Sequence, residues 1–148
     1  MPSKILTAVP ATRLPAEPMK PVIDPAAWTG KQLAQESGWQ FKLTDVEITE
    51  IDQAVASVKD HGLDIKDITL ADFPLPTLDA KLAEIKTQVL EGRGVALLRA
   101  IPVHRYDIAE SAAAYWGIGL RIGNPVSQNH HGHLLGHVYD LVGPSREA

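Results

Sequence analysis

From Thr44 to Gly92 the apolar residues recur at helical spacing. Ile48, Ile51, Val55 and Val58 follow one another every three or four positions and so fall on one face of a helix. Thr44 and Glu47 form a capping box at its start, and Gly62 stands where a left-handed residue ends it. Leu78, Leu82, Ile85 and Val89 make a second stripe, capped by Thr77 and stopped by Gly92. A third helix opens at Asp107, with Glu110 three residues on, runs through Ala112, Ala113, Ala114, Tyr115 and Trp116, and ends at Gly123 before Pro125. Two stretches change period. Trp39, Phe41 and Leu43 alternate with Gln40 and Lys42, the pattern of a short half-buried strand, and Gly94 to Arg99 is a Val/Leu run bounded by glycines and Pro102. A polar loop then leads to another predicted strand, reaching Asp140.

The remaining segments are less regular. Residues 1–22 carry five prolines and read as an extended or disordered lead-in, leaving 23–148 as the folded part. Asp24 before Pro25 predicts the start of a short helix through Trp28 to Gln35. Ile65 to Phe73 is a connector, which Pro74 and Pro76 keep from continuing as helix. Trp28, Trp39 and Phe41 read as core anchors, with the lining of a substrate pocket as the alternative. Asp45, Glu47, Glu50, Asp52 and Asp60 lie mostly off the apolar stripe, which makes them a solvated face rather than catalytic carboxylates. The fold class expected is mixed α+β.

A 148-residue chain with 45% hydrophobic and 22% charged residues suits one compact domain. A net charge of −4 gives no basic field for a phosphate backbone, which disfavours nucleic acid. No apolar run approaches the ~20 residues a membrane helix needs, so no membrane partner is expected. Without cysteine there are no disulfides, thiolate metal sites or cysteine nucleophiles, which fits a cytoplasmic location.

Five phrases then point to a family: AWTGKQLA from Ala27, ADFPLPTL from Ala71, GVALLRAIPVHRY from Gly94, AAAYWGIGLRIGNPVSQN from Ala112 and GHLLGHVYD from Gly132. In this order they resemble the N-terminal part of the taurine catabolism dioxygenase (TauD/TfdA-like) type of Fe(II)- and 2-oxoglutarate-dependent oxygenases. The resemblance implies the N-terminal helices and first strands of a double-stranded β-helix, or jelly roll, left incomplete here. It also implies a longer complete enzyme that hydroxylates a small-molecule substrate. Its iron is held by His-x-Asp or His-x-Glu and a distant second His, and a basic residue near its end takes the 2-oxoglutarate carboxylate.

The ligands that the resemblance calls for are not present. A two-His, one-carboxylate site needs an acid two residues after a His. His61, His104, His130, His131, His133 and His137 are followed at that position by Leu63, Tyr106, Gly132, His133, Leu135 and Tyr139. By resemblance the ligand pair would come just after Ala148. No metal ligand, catalytic residue or bound cofactor is therefore expected of this chain alone. His130, His131, His133 and His137 cluster, but on a strand His133 and His137 would lie about 13 Å apart at ~3.3 Å per residue, too far to share an ion.

Gln128 and Asn129, in the loop after the third helix, are the better candidates, as substrate-binding contacts, with Arg99 behind them. Equally, their side chains can simply satisfy loop backbone. Gly92-Arg93-Gly94 and Gly117, Gly119 and Gly123 do not make a dinucleotide fingerprint, and Ser111 and Ser127 lie in no G-x-S-x-G elbow. The expected function is the N-terminal portion of an Fe(II)/2-oxoglutarate dioxygenase, inactive alone. The alternatives are a stand-alone binding module derived from such an enzyme and one half of a split enzyme. Self-association or a partner chain carrying the iron ligands would accompany them.

Overall fold

The structure is a computed structural model and describes residues 15–136. The predicted α+β character is present: four α-helices, two short strands and two 3-10 turns among the described residues. Helix α1 (Gly30–Ala34) is followed by strand β1 (Gln40–Lys42) and helix α2 (Asp45–Asp60). A connector containing a 3-10 turn at Ile65–Asp67 leads to α3 (Leu78–Leu90) and β2 (Leu97–Arg99). A second 3-10 turn, Val103–Arg105, precedes α4 (Ile108–Ile122). The two strands pair in parallel, Phe41 opposite Leu98, as a two-helix crossover between them allows.

The capping boxes read from the sequence close α2 and α4: the Thr44 side chain accepts from Glu47 N–H, and Asp107 accepts from Glu110 N–H. Gly62, at φ +61°, follows α2 as expected. Ile51, Val55, Val58, Leu78, Leu82 and Ile85 are buried, so both predicted stripes face one core. Helix α4 packs on both α2 and α3. Phe41 and Leu98 turn toward this helical layer from the sheet, while Gln40, Lys42, Leu97 and Arg99 point outward.

Several expectations are corrected. The first helix starts at Thr29, whose side chain makes a capping box with Gln32; Asp24 instead closes a turn by accepting from Ala26 N–H. Trp28 is 38% exposed and donates its indole N–H to the Arg93 carbonyl, so it is no core anchor; Trp39 and Phe41 are half-buried. The strand expected from Gly94 pairs only from Leu97. Thr77 makes no side-chain cap; the Glu50 carboxylate from α2 accepts from the Thr77 and Leu78 amides in its place. The connector is not merely a connector. Ile68, Phe73 and Leu75 are among the buried residues, and Trp116 donates to the Ile68 carbonyl at 3.2 Å.

Of the acids of α2, Asp45 and Asp60 are exposed as expected, whereas Glu47, Glu50 and Asp52 are not part of a solvated face. Glu47 is only 4% exposed, and its carboxylate accepts from Thr44 N–H, Thr44 Oγ1 and the Lys81 ammonium. Asp52 accepts from the Tyr106 hydroxyl and from Arg105. Burial, then the hydrogen bond to Asp52, pushes the Tyr106 phenol above its ordinary value. Arg121, nearly buried, fastens the end of α4 by donating to Asp79 and to the Gly117 and Phe73 carbonyls. The further strand expected toward Asp140 is absent among the described residues, where 124–136 form a loop, and its sequence from His137 onward lies outside them.

Two outcomes are expected for stability. A Cβ on Gly117 would stand 2.3 Å from Phe73 Cδ1, whereas one on Gly119 would meet nothing within 4 Å. Gly117→Ala should cost about 1–3 kcal/mol by overpacking, and Gly119→Ala should gain about 0.5–1 kcal/mol from helix propensity. Urea unfolding reads both, and equal effects would refute the contact. Burial raises the Glu47 pKa, but the Lys81 and Thr44 hydrogen bonds outweigh it and hold the carboxyl below the usual value of 4.5. Its stabilisation is therefore present above pH 4.5 and lost as pH falls through the lowered folded value. Glu47→Gln should cost about 1–3 kcal/mol at neutral pH and flatten the fall of the urea midpoint below pH 4.5. Parallel acid limbs in the two proteins would overturn this assignment.

Candidate functional site

Gly123 ends α4 in an extended conformation, and Pro125 prevents the helix from resuming. The loop after it is organised by its own polar side chains. Asn129 Oδ1 accepts from the His131 and His133 amides at 3.0 and 3.2 Å, and Asn129 Nδ2 lies 2.9 Å from His133 Nδ1. The Gln128 amide N–H donates to the His133 carbonyl at 2.7 Å, and its side chain donates to the Val126 carbonyl at 2.9 Å. Ser127 Oγ donates to the Asn129 carbonyl, and Gly132, at φ +82°, completes the reversal.

Gln128 and Asn129 are thus neighbours on one exposed turn, with side chains engaged in loop bonds. Arg99 stands elsewhere, on the outer face of β2, donating to Gln40 Oε1 at 3.1 Å. No hydrogen bond or ion pair among the described residues joins it to the loop pair. The rings of His130 and His131 lie 3.7 Å apart and those of His131 and His133 5.8 Å apart, all three residues exposed. Among the described residues no group of three or more His, Cys, Asp or Glu is arranged to hold a metal ion. His137, the fourth member of the cluster, lies outside them.

Beside this loop runs an apolar groove of about 570 Å³ between α2 and α4. Val55 and Val58 of α2, Ile65 after it, and Ile108 and Ala112 of α4 line it, and Leu135 of the loop lies against them. The volume is in the range of small-molecule sites. At its rim Lys59 Nζ lies 2.6 Å from Glu110 Oε1 and 3.9 Å from Asp107 Oδ2. The Lys59 hydrogen bond, then the Asp107 amide, lowers the Glu110 carboxyl, and Glu110 raises the Lys59 ammonium. The lining is mainly apolar, and the charged groups at its rim are paired with one another. The groove divides between helices far apart in the chain, and in the sequence only Val55 and Val58 of the first stripe signalled it.

Over 113 residues, 76% of this chain, the sequence is 31% identical to the FR-33289 synthase of Streptomyces rubellomurinus. Over 118 residues, 79% of the chain, it is 29% identical to a taurine hydroxylase-like protein of Stachybotrys chartarum. The matched stretch spans 33% and 31% of the length of these two curated relatives. No family model matches the chain. The family resemblance read from the five sequence phrases is borne out.

The loop geometry predicts the behaviour of one variant. Asn129→Ala removes the acceptor for two amides, so hydrogen exchange at His131 and His133 should quicken about tenfold or more. Global stability should stay within about 0.5 kcal/mol, because the loop is exposed. Unchanged exchange at both amides would show that Asn129 does not organise the turn.

Proposed function

We propose that this homologue of taurine hydroxylase-like proteins is the N-terminal portion of an Fe(II)- and 2-oxoglutarate-dependent oxygenase that hydroxylates a small molecule. The observation that carries the proposal is the pair of relatives, which are named as a synthase and a hydroxylase-like protein and match over most of the chain. The chain covers about a third of each, so activity, substrate and cofactors belong to the proposal and not to the finding. In this reading the helical layer and two-stranded sheet buttress a jelly roll formed elsewhere. Gln128 and Asn129 line the substrate pocket from the loop, and Arg99 contributes from the sheet. The described residues do not fit an iron site, because they bring no ligand set together. No chemical step is assigned to them.

The groove between α2 and α4 favours a second reading, a binding module without catalysis. Half of a split enzyme is the form the first reading takes if a separate chain supplies the iron ligands.

The purified 148-residue chain, given Fe(II), 2-oxoglutarate and oxygen, should form no succinate above the level of free iron. Iron-dependent succinate production by this chain alone would overturn the proposal that it is only the supporting portion.

A further inference from the structure

Two apolar surfaces of this chain stand uncovered, and they carry opposite charge. The first is the arm that leads into α1. Every residue from Pro15 to Ile23 is exposed, Ile23 at 89%, so Met19, Val22 and Ile23 stand in water together. Among the described residues the arm's hydrogen bonds stay within it: Lys20 N–H donates to the Glu17 carbonyl at 3.2 Å, and the two side chains pair. Its base is fixed, because the Asp24 side chain accepts from Ala26 N–H and the Trp28 indole donates to the Arg93 carbonyl at 2.8 Å. Pro21 fixes its own φ and disfavours helix at Lys20, which lowers the entropy lost when the arm docks. Pro18 and Pro21 also lack amide protons, so the arm is poorly made for pairing along a sheet and better suited to inserting side chains. Through residue 22 it carries Lys4, Arg13 and Lys20 against the one acid Glu17.

The second surface is the groove between α2 and α4. The buried side chains of Val55, Val58, Ile68 and Ala113 line its depth, and Ile108, 76% exposed, stands at its mouth. Among the described residues that line it, Asp64, Asp107 and Glu110 face the single cation Lys59. Asp64 meets Lys66 at 3.6 Å, but Asp60 adjoins Lys59, so the surroundings stay acidic. No residue of the arm lines the groove of its own chain.

We infer that this groove receives the arm of a second copy of the chain. Val22 and Ile23 enter between α2 and α4, and Lys20 exchanges Glu17 for Asp64 and Asp107 at the rim. Apolar complementarity supplies the affinity, and the basic arm against the acidic rim sets which surfaces meet. Reciprocal exchange, each copy giving one arm and accepting one, closes the assembly as a two-fold pair. The inference stands on these two surfaces and does not depend on the oxygenase reading.

The test follows the mass of the full 148-residue chain by sedimentation velocity over a concentration series. A concentration-dependent dimer is expected. Ile23→Asp on the arm and Ile108→Asp at the groove mouth should each weaken it about tenfold or more. Both positions are exposed, and an acid in the first turn suits α4, so both variants should fold. Mixing the two variants should restore part of the dimer, because the intact arm of one then meets the intact groove of the other. Arm-to-arm or groove-to-groove contact gives no such rescue, so a mixture no better than either variant alone would overturn the assignment. A wild-type chain that stays monomeric throughout, or a dimer indifferent to both substitutions, would overturn it as well. Should a variant fail to fold, carbodiimide cross-linking of a mixture of light and 15N-labelled wild-type chain decides. Mixed-isotope links from Lys20 to Asp64 or Asp107 are expected. Links confined to one isotope would place the arm in its own groove and refute exchange.

Discussion

One carboxylate holds three elements in register. Glu47 caps the start of α2 through Thr44, and through Lys81 it reaches α3, while Lys81 also donates to the Lys42 carbonyl at the end of β1. Glu47 is 4% exposed and the Lys81 side chain 22%, so this pair is shielded from water far better than the other ion pairs that α2 makes. Lys59 with Glu110 and Arg105 with Asp52 both keep a substantially exposed cation, at 62% and 47%. Exposed pairs of that kind contribute at most about 1 kcal/mol. Removing one partner of a shielded, hydrogen-bonded pair leaves the other without compensation, which makes Glu47 the stricter constraint.

Local sequence rules specified what local physics decides. The Thr44 and Asp107 caps, the Gly62 stop and the stripes on α2 and α3 need only neighbours three or four residues away, and each is present. What eluded them depends on distance. Glu50 displaces Thr77 as the cap of α3 across 27 residues, and Phe73 is buried only because Gly117 lets its ring approach α4. Glu47 looks like one acid among five until α3 brings Lys81 to it.

The candidate site divides along the same line. The loop was legible as a polar turn beyond the end of α4, and Asn129 does bond to backbone within it. The sequence could not reveal the groove, since it exists only where α4 crosses α2. The ion pair at its rim joins Lys59 to Glu110 across 51 residues.

These contacts give the fold an uneven distribution of strength. Its fully buried large side chains, Phe73, Ile51, Leu75, Leu78 and Leu82, belong to α2, α3 and the connector between them. The sheet contributes only the half-buried Phe41 and Leu98 to the same cluster. Apolar burial scales with area removed from water, so the helical layer has its own source of stability while the sheet relies on its attachment to that layer. Lys81 and Leu43 attach β1 directly, through the Lys42 carbonyl and through a buried side chain. β2 is attached mainly through β1 and the half-buried Leu98, which places it at the low-stability end of the molecule.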